Sequence, residues 1–104
     1  MSDISLADFT PALFRPHIGE TFVFERQEGG TARMKLLEIT TRPGSDDRPF
    51  AMLFVLRDEP PLEHGLPRLI REGFEPCEIF FSRVTSPRRQ ASDPSGIYYE
   101  AVFG

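Results

Sequence analysis

The chain reads as an all-β protein, a small sandwich or a partly open barrel of about six antiparallel strands with a short helical turn near its start. Three observations predict this class. Short segments of alternating apolar and polar residues recur along the chain; clusters of Gly, Pro, Asp and Ser separate them at intervals of about ten residues; and no stretch holds a helical period for long. Such spacing builds sheets that close on themselves or pack in pairs, and both architectures fit it.

The elements follow in order. In "SLADFTPALFRPHIGETF", Ser5 or Thr10 can cap a helix and Pro11 suits a first helical position, but Pro16 stops what begins there. One or two turns result, with Leu6, Phe9, Leu13 and Ile18 expected to pin them over one end of the core. "TFVFERQ" places Phe22 and Phe24 on one face of a strand. "EGG" at 28–30 tolerates a turn, and "TARMKLLEITT" carries Met34 and Leu36 in one phase but Leu37 and Ile39 in the other, so a β-bulge is expected near Leu36 and Leu37. "FAMLFVL", Phe50–Leu56, is apolar on both faces and reads as a central strand.

After the loop "RDEPPLEHG", the stretch "LPRLIRE" is expected at a sheet edge, because Pro67 cannot donate to a ladder. "CEIFFSRVT" reads as one strand and "SPRRQASDPS" as a polar loop. "GIYYEAVF" reads as a closing strand, with Ile97, Tyr99, Ala101 and Phe103 inward and "CEIFFSRVT" as its hairpin partner.

Length and composition narrow the possibilities. The 104 residues fit a single domain over 1–104, and 39% hydrophobic with 27% charged residues is a globular balance. No apolar run approaches the roughly 20 residues of a membrane helix, and the start lacks the pattern of a signal peptide, so a cytoplasmic protein that does not span a membrane is expected. A net charge of -4 argues against nucleic acid as a partner. Ten Phe with two Tyr and no Trp favour core filling over stacking at a wet surface.

The order of short motifs, "LADFTP", "IGETF", "LLEIT", "RPFAMLF", "LEHGLPRL" and "YYEAVF", resembles a family of small bacterial domains of unknown function. The resemblance covers nearly the whole chain. It implies a stand-alone all-β domain, carries over no catalytic residue, and implies a setting among genes for phage-tail-like or tail-collar proteins. The stretch Leu62 to Phe74 departs from the family pattern.

Candidate chemistry is sparse. Cys77 is the one thiol, beside Glu78 rather than a cation, and His17 and His64 are its only possible bases, so no activated nucleophile is expected. Two histidines and one cysteine give no short metal-ligand spacing, and no cofactor is expected. Asp46, Asp47, Asp58, Glu59 and Glu63 lack the alternation of a calcium loop and read as solvated charge. Arg83, Arg88 and Arg89, diluted by Asp93, have no interleaved aromatic for nucleic acid. What remains is a non-catalytic structural or protein-interaction domain, acting on a protein partner or by self-association, and the resemblance implies a phage-tail-like assembly as its setting. Leu69, Ile70, Arg88, Arg89 and Tyr98 are its expected contact surface. The alternative is a small-molecule binder or enzyme with a pocket at a barrel mouth.

Overall fold

In a computed structural model, which describes residues 4–41, 49–57, 60–62, 66–84 and 96–103, the alternating segments form strands. They are β1 (Thr21–Glu25), β2 (Thr31–Thr41), β3 (Phe50–Leu56), β4 (Arg68–Ile70), β5 (Cys77–Glu78), β6 (Ser82–Val84) and β7 (Ile97–Phe103). All pair antiparallel in one sheet of order β5-β4-β1-β2-β3-β7-β6. Before them, Thr10 accepts a hydrogen bond from Leu13 N and caps α1 (Pro11–Phe14), which passes directly into a 3-10 turn over Arg15–His17.

The sheet is curled into a half barrel, and the chain itself requires the curl. β5 and β6 lie at opposite ends of the strand order. Flat, those six inter-strand steps would separate them by roughly 29 Å. Yet the four residue steps from Glu78 to Ser82 reach at most about 14 Å. The "CEIFFSRVT" stretch is therefore two strands, not one, and this accounts for seven strands where six were expected. Ile79–Phe81 crosses between the two edges. Phe81 enters the interior and meets Phe24, Phe54 and Tyr99 at 5.2, 5.6 and 6.3 Å between ring centroids.

The alternation sorts the faces as the sequence predicts. Phe22 and Phe24, Met34 and Leu36, Met52 and Phe54, and Tyr99, Ala101 and Phe103 are all buried on the inner face, with Ile97 packed against them. The register of β2 against β3 slips between Leu36 and Glu38, so the bulge falls where the apolar phase changes. β3 is central and covered on both sides: Leu53 and Val55 form a second, outer cluster with Tyr98, joined by Leu37 and Val84. At the start of the chain Phe9 and Phe14 close the core, at 4.8 Å from each other. Leu6 and Ile18, expected to share that role, are exposed.

β4 is not an edge strand. Leu69 pairs with Phe24 of β1 on one side and Cys77 of β5 on the other. Pro67 avoids the ladder by preceding the strand, and its carbonyl accepts from Ile79 N at 2.9 Å. β7 pairs with β3 over its full length and with β6 at Ser82–Val84.

Candidate functional site

The outer face at the β1–β4–β5 end carries two rows of side chains fixed by the register. Glu25, Arg68 and Glu78 stand side by side across the three strands. Two residues before Arg68 and two after Glu78, the β4–β5 register continued sets Leu66 opposite Phe80. The ladder supports this extension, because the Ile79 to Pro67 hydrogen bond continues the β4–β5 pairing past its last strand pair. The charged row, Leu66 and the hairpin border a half-open groove of about 500 Å³, lined by Glu25, Arg26, Gln27, Gly29, Gly30, Leu66, Arg68 and Glu78, with Phe80 outside that lining.

The hairpin gives the groove its wall. Gly29 and Gly30 adopt φ of +105° and +82°, left-handed values that glycine takes without strain, and nothing crowds either α-carbon. Their open backbone leaves room above the charged row.

Arg26, under that wall, is the one buried charged residue among those described. Its guanidinium donates through Nη2 to Pro60 O at 2.6 Å, through Nη1 to Pro61 O at 3.2 Å and through Nε to Thr31 O at 3.2 Å. Glu28 lies 3.7 Å from Nη1. The Tyr99 hydroxyl accepts from Leu62 N at 2.9 Å. The Pro60–Leu62 segment is thus held from β1 and from β7 at once, and it straps one end of the half barrel. Arg26 is therefore a structural group, its donors taken up by the carbonyls of Thr31, Pro60 and Pro61.

The groove lining carries two carboxylates, Glu25 and Glu78, and two guanidiniums, Arg68 and the buried Arg26. Arg68 and Glu25 face each other at 3.5 Å, each half exposed. Glu78 is exposed and has no ion-pair partner among the described residues.

A second polar cluster joins the start of β1 to the end of β4. Arg71 donates to Glu20 Oε1 at 2.6 Å, and its guanidinium lies 4.2 Å from the Phe22 ring centroid. His17 Nδ1 is 3.1 Å from the same Glu20 oxygen. Arg71 first, then His17, hold the Glu20 carboxyl below its ordinary pKa. These partners are mutually satisfied, so the cluster reads as a clamp rather than a catalytic group.

Cys77 sits half-buried on the inner side of β5. Burial, with a smaller effect from Glu75, pushes its thiol above the ordinary pKa, opposite to what a nucleophile needs. Among the described residues no three His, Cys, Asp or Glu side chains come together to hold a metal ion. No helix among them is long and apolar enough to cross a membrane.

Of the surface expected from the sequence, Ile70 is exposed on the outer face, one alternation beyond Arg68. Leu69 is not a surface residue: its strand phase turns it inward, where it is 1% exposed. Tyr98 does lie on the outer face but is 2% exposed, packed with Leu53 and Val55, so it offers no open ring. Arg88 and Arg89 lie outside the described residues, as do His64, Asp46, Asp47, Asp58, Glu59, Glu63 and Asp93. Arg83 is exposed on β6, opposite Tyr99.

Sequence reasoning missed Phe80, Leu66 and the charged row beside them. The alternation within "CEIFF" was the available signal, but it could not place β5 beside β4. No curated protein and no solved structure matches the chain. A family model does match, over residues 9–103, and the chain belongs to that family, described as a domain of unknown function (DUF6916).

Proposed function

We propose that this protein is a non-catalytic interaction domain that docks on another protein through the outer face at the β1–β4–β5 end. One observation carries the reading. Of the ten phenylalanines, Phe80 alone is exposed, at 69%, and its register neighbour Leu66 lines the groove. Single apolar side chains at a surface mean little. An aromatic ring paired with an aliphatic one beside a concave, charge-rimmed groove has the composition of a contact patch, with an apolar anchor and a polar rim.

The filled interior supports this reading over a ligand pocket at a barrel mouth. Phe24, Phe54, Phe81 and Tyr99 occupy the space such a pocket would need, and the groove lies outside that core and is half open to solvent. The raised Cys77 pKa and the satisfied His17 cluster supply no activated group for catalysis. A place in a phage-tail-like bacterial assembly, which the motif resemblance implies, agrees with a small domain whose work is contact.

The test compares immobilised wild type with Phe80→Asp as bait for extract of the native cell, after both show the same thermal melt. A protein retained by the wild type and lost by the variant is the expected result. Equal retention by both, together with a metabolite that raises the melting temperature of the wild type, overturns the reading in favour of a ligand pocket.

A further inference from the structure

We infer that the segment recognised at this groove carries a basic residue next to a large apolar one. The inference rests on the docking reading above and specifies the chemistry of the partner. The two register rows pair unlike demands at close range. The Leu66–Phe80 row offers apolar surface to a side chain of the same kind. Along the other row the charges run Glu25, Arg68, Glu78, adjacent in register across β1, β4 and β5. Arg68 already faces Glu25 at 3.5 Å, so the carboxylate left over is Glu78, on the strand that also leads to Phe80. Glu28 at the hairpin faces Arg26 at 3.7 Å, and the Arg26 guanidinium also donates to the carbonyls of Thr31, Pro60 and Pro61, so neither charge is left over.

An acidic partner would meet Glu78, while the cations of the described lining, Arg68 and Arg26, already face Glu25 and Glu28; a Lys or Arg would instead pair with Glu78 across the rim. Glu78 and Phe80 share one side of the chain, two residues apart, a spacing of about 7 Å along an extended backbone. A cation and an apolar side chain presented at that spacing, as by alternate residues of an extended segment, would satisfy both at once. The open backbone at Gly29 and Gly30 leaves that segment room to lie across the hairpin.

A random-peptide display library panned on the folded chain tests this. The expected pool is enriched in Lys or Arg within two residues of Leu, Ile, Phe or Tyr. A synthetic peptide copied from that pool should bind Glu78→Gln about threefold more weakly, as for one exposed charge contact, and Phe80→Ser more weakly still. Both variants are first shown to melt as the wild type does. A pool without basic enrichment, no enrichment at all, or binding unchanged in both variants overturns the inference. If the Phe80-dependent partner captured from cells presents an acidic or wholly apolar segment, this inference fails while the docking reading stands.

Discussion

Arg26 shows how one residue can decide the conformation of a loop remote in sequence. A guanidinium only 7% exposed would be costly without partners, and here three carbonyls accept from it, two of them on consecutive prolines that have no N–H of their own to offer. Its planar fork reaches Pro60 and Pro61 together, a geometry that a lysine ammonium does not reproduce. Arg26→Met would keep much of the aliphatic packing and leave those carbonyls without their donors. We expect it to destabilise the protein by about 3 kcal/mol, given about 1 to 3 kcal/mol for each buried polar group left unsatisfied and some recovery through water. Urea unfolding reads this directly, and Arg26→Lys should recover less than half of the loss. An unchanged midpoint in Arg26→Met would remove the strap from the account of stability. Nothing in the local sequence "FERQEGG" marks Arg26 as buried, because two of its three carbonyl acceptors lie more than thirty positions away.

At the scale of elements, what was legible was whatever the chain states locally. The alternation of Phe22 and Phe24, the phase change at Leu37 and the two-faced apolar run of β3 each depend on a few neighbouring residues, and each appears in the structure as the pattern predicts. The break between β5 and β6 was not legible, because alternation continues through Ile79–Phe81 while the pairing partner changes from β4 to β7. The pairing of β5 with β4, equally unmarked in the local sequence, sets Phe80 opposite Leu66 at the edge of the candidate site, so the site was hidden for the reason the strand count was. The clamp of Arg71 on Glu20 is likewise a tie between elements, linking the lead-in to β1 with the residue after β4. Because folding lowers the Glu20 pKa, the tie contributes stability above the unfolded pKa, and that contribution fades as pH falls through the folded one. A carboxyl-carbon NMR titration should give Glu20 a midpoint below that of an unpaired glutamate, and Arg71→Ala should raise it. If the midpoint stays put in Arg71→Ala, the clamp is absent in solution.

The whole molecule is closed by a crossing of three residues. Without Ile79–Phe81 the strand order would describe an open sheet with two distant edges. With it, β5 and β6 are drawn together, and Phe81 fills the space between Phe24, Phe54 and Tyr99. The neighbouring phenylalanines 80 and 81 therefore face opposite ways and do different work, one held in the core and one left to solvent. Phe81→Ala should cost about 3 kcal/mol, toward the low end for a core phenylalanine because Phe81 is half-buried, and a large fraction of the 5 to 15 kcal/mol typical of a protein this size. Phe80→Ala should shift stability by no more than about 0.5 kcal/mol, as expected of a surface site, while weakening capture of a partner. Chemical denaturation of the two variants side by side separates fold from function with a single change of register. Equal destabilisation by both would mean that Phe80 belongs to the core, and would take with it the groove as a contact surface.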